Sequence, residues 1–319
     1  MKKYWQLSLL LACVFVLFYT LDVVGVDNPE MFMHPSMGKV KRVYDSAGQP
    51  TKYFRPVIED AFTLLKMSEA YHFVGKSKEL IEILNTAQDL VTRRQAVEDL
   101  CHVTGDETKI ALEALVKFMD KETDSKARKE TLAAISSILV NGDMPDSDVL
   151  DGVKIFEKYL TDNDPTTRGE AAVLLIYFGE YNKSKEVILK DLADERLAGP
   201  ENYDRMCLPA ALARLEKDDA IVNVLKKTLS NNNEYIGVRL SATMGLVNID
   251  AANSSDFEWA KVEAEKNEDK WYRIQALDLL AAVANKDTSV LKTLENASKN
   301  DVDDEVKEYV LQKLANIKK

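Results

Sequence analysis

Side chains able to do chemistry are few in this chain, and their spacing is poor. The histidines are His34, His72 and His102, separated by 38 and 30 residues. No two of them can share a helical turn, as a metal pair on one helix requires. Cys13, Cys101 and Cys207 form no paired-cysteine motif for zinc or redox work. Glycine-rich phosphate loops and nucleophile elbows are missing as well. The expectation is therefore no catalytic residue, no cofactor, no metal site and no enzyme. Carboxylates abound, with 53 Asp and Glu, but carboxylates on helices usually cap them or face solvent.

What does recur in register is a charged column. Arg93, Arg128, Arg168, Arg205, Arg239, Arg273 and Lys307 are spaced 35, 40, 37, 34, 34 and 34 apart. Four positions before each stand Asp89, Asp124, Asp164, Glu201, Tyr235, Asp269 and Asp303, so Tyr235 alone breaks the acid column. Seven positions after each stand Leu100, Ile135, Leu175, Leu212, Leu246, Leu280 and Leu314. At +10 come Val103, Ile138, Phe178, Leu215, Ile249, Val283 and Ile317. A row of basic residues could grip an acidic partner. Each one follows an acid by four, however, and neighbouring copies repeat the pair one layer away. The expected role is a stacked ladder of ion pairs, because buried charges are normally paired.

Helices must position this column. In residues 163–180, Asp164 suits an N-cap and Pro165 the first helical position, where its missing N–H costs nothing. Ala171, Leu175 and Phe178 then fall at +3, +7 and +10 from Arg168, one face of a helix. Periods of this size mean stacked helical pairs, since one unit cannot bury its apolar face alone. The pattern Asp164-Pro165, Arg168, Ala171-Ala172, Leu175 resembles HEAT repeats, in particular the short bacterial kind named from phycobilisome lyases. The resemblance covers residues 77–317. Tetratricopeptide repeats share the period, but their W-x2-L-G-x2-Y pattern is not in register here. The family implies an all-α, right-handed α-solenoid of about seven helical pairs and is silent about activity. Among enzymes of this fold, deoxyhypusine hydroxylases bind iron through repeated His-Glu pairs. Pro35, Phe73 and Val103 follow the histidines here, which breaks that pattern.

Eight prolines and 12 glycines in 319 residues suit a nearly all-helical chain. The net charge of −11 argues against nucleic acid as partner, because phosphates demand a basic face, and weighs against anionic lipid too. Cys101 and Cys207 fall three repeats apart, beyond disulfide reach, and read as small core residues.

Taken in order, the chain begins with Lys2 and Lys3, an apolar run from Leu7 to Leu21, and then Asp22, Asp27 and Glu30. That asymmetry sends everything after the run out of the cytoplasm, to a periplasmic or extracellular face. Residues 1–25 fit a signal peptide cleaved near Gly25. They equally fit a membrane anchor, since residues 4–21 number 18, just within the range for a span. Leu10-Leu11-Ala12-Cys13 looks like a loose lipobox, but apolar Val14–Phe18 follows where polar residues belong. Residues 26–55 read as a tether whose Val40–Phe54 stretch alternates about a Ser-Ala-Gly-Gln turn, which fits either a short β-hairpin that should lean on the first helices or an extended disordered linker. Residues 56–319 form the solenoid, capped by a helix over 56–74. First helices are expected near 77–86, 108–120, 147–161, 183–194, 218–230, 254–266 and 287–299. The fourth unit is irregular: Gly199-Pro200 lengthens its turn, and Pro209 either sits in the first turn of a late-starting helix or kinks the helix.

The function expected is a non-enzymatic scaffold or adaptor that binds a protein partner. The alternative is an accessory factor in cofactor attachment or envelope-complex assembly. With +3, +7 and +10 facing the core, the outward side of each second helix centres on +1, +5 and +8. The end repeats are polar there, with Arg94, Glu98, Glu308 and Gln312. Repeats three to six instead carry Val173, Ile176, Met206, Leu240, Met244, Val247 and Ile274. These seven are the candidate partner-binding residues, suited to an apolar or amphipathic segment, unless neighbouring helices bury them against each other.

Overall fold

The computed structural model describes residues 31–34, 38–56, 76–103, 105–141, 144–200 and 202–317. The apolar run at 4–21 and residues 57–74 of the helix expected over 56–74 lie outside them, while Pro56, expected to open that helix, ends a strand instead. Among the described residues no helix is long and apolar enough to cross a membrane. The chain is mostly helical with one small sheet, and it divides into two compact units, Met1–Val187 and Ile188–Lys319.

In the N-terminal unit, strands β1 (Met31–His34), β2 (Gly38–Tyr44) and β3 (Pro50–Pro56) form an antiparallel sheet in the order β1-β2-β3. The Asp45 carboxylate accepts the Ala47 and Gln49 amides and so builds the turn between β2 and β3. The hairpin carries a third strand and, among the described helices, packs on later ones. Its supports are α4 (Ser125–Asn141), α5 (Asp146–Tyr159) and α6 (Pro165–Tyr177). The Tyr44 amide donates to the Asp146 carboxylate at 3.2 Å, and Val43 is fully buried. Two further helices precede these in one pair, α1 (Ser77–Thr86) with α2 (Leu90–Leu100), while α3 (Thr108–Met119) pairs with α4 and α5 with α6. The second helices α2, α4 and α6 pack in sequence along one layer. Helix α7 (Asn182–Ala193) contains the division between units.

The C-terminal unit continues with α8 (Cys207–Leu212) and the pairs α9 (Asp219–Ser230) with α10 (Ile236–Asn248), α11 (Glu258–Lys266) with α12 (Lys270–Val283), and α13 (Leu291–Asn300) with α14 (Asp304–Ile317). Helices α8, α10, α12 and α14 again pack each against the next. Helix α8 is short because a 3-10 turn, Tyr203–Met206, precedes it, and Pro209 lies in its first turn. The late start is thus the outcome of the two that Pro209 allowed.

Local signals explain the helix limits. Asp89, Asp164 and Asp269 cap α2, α6 and α12 by accepting the amides of Thr92, Thr167 and Trp271, each satisfying an N–H the helix cannot. After α6, Gly179 takes a φ of 89°, which only glycine adopts without strain. The chain then turns back, and Glu180 donates its amide to the Leu175 carbonyl at 2.9 Å, satisfying an otherwise orphaned carbonyl. The +7 column is buried in all seven copies. At +10, Leu215 and Ile317 are half-buried and the other five buried.

Candidate partner-binding site

The arginine column is built first, because it fixes the second helices that any site would use. Arg273 reaches back to the Asn267 carbonyl at 2.9 Å and the Glu268 carbonyl at 3.2 Å, just past the end of α11. Its Nε and Nη2 grip the Asp301 carboxylate at 2.9 Å each, in the loop of the next pair. Arg205 repeats this with the carbonyls of Asp191 and Leu192 at 3.0 and 3.2 Å and with Glu234 at 2.6 Å. Within the N-terminal unit Arg93 pairs with Glu122 at 3.1 Å and Arg128 with Asp162. A cation laid on the carbonyl end of a helix is favourable in itself, and the carboxylate neutralises it in a dry site.

An inter-repeat ladder therefore exists at Arg93, Arg128, Arg205 and Arg273, with different partners from those expected, while Lys307 pairs with Asp304 of its own helix. Asp89, Asp124, Asp164, Asp269 and Asp303, each four before its basic residue, accept backbone amides at the starts of their helices. The arginine instead takes an acid from the following repeat, six before that repeat's own basic residue at Glu122, Asp162 and Asp301, and five before it at Glu234. This second acid also accepts a backbone amide, as Asp162 does from Asp164 and Asp301 from Asp303. The spacing was visible in the sequence but hidden behind the more regular column beside it.

Arg239 departs from the pattern. The position six before Arg273 is Asn267, whose side chain is taken by Glu263 and the Asp269 amide. Arg239 donates to the Leu229 carbonyl at 2.9 Å and lays its guanidinium 4.2 Å from the Trp259 ring centre. Burial, against the charge of Glu263, lowers its pKa. An aromatic face thus stands where other repeats place a carboxylate.

The seven expected contact residues are divided between the units, with Val173 and Ile176 in the first and the other five in the second. Val173, Ile176 and Leu240 are 6%, 0% and 4% exposed. Met206, Met244, Val247 and Ile274 are half-buried, and Met244, Val247 and Ile274 pack on the core cluster that contains Leu240. The reason is geometric. A second helix in a row touches its own first helix and also the second helices on either side, so its +1 and +5 flanks fill a seam. Of the polar end positions, Glu98, Glu308 and Gln312 are exposed, whereas Arg94 is half-buried and paired with Glu130.

What the C-terminal unit brings to its surface is a row of aromatic rings. Tyr203, Tyr235 and Tyr272 are half-buried, with ring centres 6.4 Å apart for the first two and 5.9 Å for the second two. Both contacts are edge-on, the preferred arrangement, and the Tyr235 and Tyr272 hydroxyls hydrogen-bond. Burial, followed by that hydrogen bond, holds the Tyr272 phenol well above its ordinary value. Met206 lies beside the row: a Cβ on Gly237 would stand 2.9 Å from the Met206 sulfur and 2.9 Å from Tyr235 Cε1. Trp271, next to Tyr272, is exposed. Of this shelf only Met206 was foreseen. The signal for the rest was Tyr235, the one aromatic in the acid column.

Among the described residues, no three His, Cys, Asp or Glu side chains gather to hold a metal ion. Cys101 and Cys207 carry free thiols, and burial pushes the Cys101 thiol up to about 12. Burial lowers the pKa of His102. The side chains of His34 and His72 lie outside the described residues.

A comparison with protein-family models gave no match, and a comparison with curated proteins gave none. Among solved structures the chain matches human deoxyhypusine hydroxylase in complex with glycerol. The identity is 14%, over 81% of this chain and 99% of that one, with a TM-score of 0.30. The expectation that the chain is not an enzyme is corrected by this finding, since the matched structure is an enzyme's. Lack of a familiar motif was no physical ground for denying catalysis on a helical-repeat fold. At this identity and TM-score the likeness assigns neither a reaction nor a residue role.

Proposed function

We propose that the chain is a HEAT-type repeat protein, a right-handed helical solenoid in architecture, that holds a protein partner outside the cytoplasm. The observation that carries the binding role is the aromatic shelf of Tyr203, Tyr235 and Tyr272 with Met206 beside it, and the exposed Trp271 next to Tyr272 in the chain. Tyrosine, tryptophan and methionine are enriched where proteins meet; the two aromatics offer wide contact area at small entropic cost, and methionine adapts to the surface it meets. The shelf is fixed before binding by its edge-on contacts and its phenol hydrogen bond, which lowers the cost of ordering it. The location outside the cytoplasm rests on the charges flanking the apolar run, Lys2 and Lys3 before it and Asp22 and Asp27 after it.

The test is chemical crosslinking of the tagged full-length chain in its own cells, followed by identification of the captured protein. The expected result is one protein at near-equal amounts, lost from Tyr235→Ser/Trp271→Ser while the circular dichroism of that variant is unchanged. Capture unaffected by the double substitution would remove the shelf from the interface. Recovery of no stoichiometric protein would overturn the binding role itself.

A further inference from the structure

We draw no further inference here: the strongest candidate, the half-buried tyrosine shelf along the second helices of the C-terminal unit, belongs to the site already described, and nothing in the structure shows what covers it.

Discussion

Two buried ion pairs in the C-terminal unit, Arg205–Glu234 and Arg273–Asp301, look alike in the sequence and differ in how completely they are satisfied. Their side chains are 6% and 1% exposed in the first pair and 5% each in the second. Arg273 meets Asp301 with two parallel N–H bonds, and Asp301 also takes the Asp303 amide. Arg205 meets Glu234 with one N–H, and its Nε is buried without a partner. The carboxyl groups respond in opposite directions. Burial pushes Asp301 up, but the Arg273 bonds, the Asp303 amide and the Arg273 charge outweigh it and leave the pKa lowered. Burial of Glu234 outweighs the Arg205 charge and the amides of Tyr235 and Gly199, and the pKa is raised. Being buried and paired is thus not one condition. Geometry decides whether the protein gains from the charge.

The largest effect expected from this contrast comes from replacing each pair whole. Arg205→Met/Glu234→Leu should leave stability unchanged or raise it by about 1–4 kcal/mol, as apolar replacement of a poorly satisfied buried pair does. Both double variants strip backbone carbonyls and amides of partners, but Arg273→Met/Asp301→Leu should destabilise relative to the first, because it alone gives up a two-bond pair whose carboxylate the fold favours in its charged form. Single truncation of Asp301 to Ala, which strands Arg273, should cost about 3–5 kcal/mol. Urea unfolding reads all three. Equal losses from the two double variants would abolish the distinction.

A smaller effect separates the pairs by pH. Asp301 has a folded pKa below its unfolded value of about 3.9. Its contribution is therefore full above that value and is lost as pH falls through the folded pKa. Glu234 has a folded pKa above its unfolded value of about 4.3. Its charged form therefore costs stability at neutral pH, and that cost fades as pH falls through the folded value. Acidification should shrink the advantage of wild type over Asp301→Asn and improve wild type relative to Glu234→Gln. Urea midpoints measured from pH 7 to pH 3 give both slopes, and slopes of the same sign would refute the assignment.

The smallest effect sharpens the comparison with the repeat that has no such pair. Asn267→Asp places a carboxylate at the ladder position facing Arg239. A gain of about 0.5–1 kcal/mol is expected, held down by the nearby Glu263. A loss in the thermal melt would show that Trp259 already fills the role.

These contrasts also mark what could be read before the structure. The apolar columns at +7 and +10 placed the core, because burial at a 3.6-residue period leaves a direct trace in residue type. Asp164 was legible as an N-cap and is one, but the acid column as a whole, Asp89 and Asp269 included, was expected to pair with the arginines and instead caps helices. An N-cap and an ion pair draw on the same residue types, and only geometry tells which donor arrives first. Val173 and Ile176 were assigned outward because a helical wheel knows one neighbour, whereas a stacked helix has several. Tyr203 and Tyr272 escaped notice because their contacts join residues 32 and 37 apart in the chain, with Tyr235 between them. No local pattern records that.

Gly237 has a cost that none of the ion pairs shares. It lies within α10, where alanine would favour the helix by about 1 kcal/mol through reduced backbone freedom in the unfolded chain. The helix also begins at Tyr235, whose side chain makes no cap bond, so its first turn is weakly held. Both departures serve one spot, since the absent Cβ is what lets the Met206 sulfur and the Tyr235 ring lie against the helix. Helix α10 therefore forgoes propensity at its start to keep the Met206 sulfur and the Tyr235 ring close against its backbone. Its first turn should be the earliest part of that helix to exchange amide hydrogens, and it should slow when the shelf is covered.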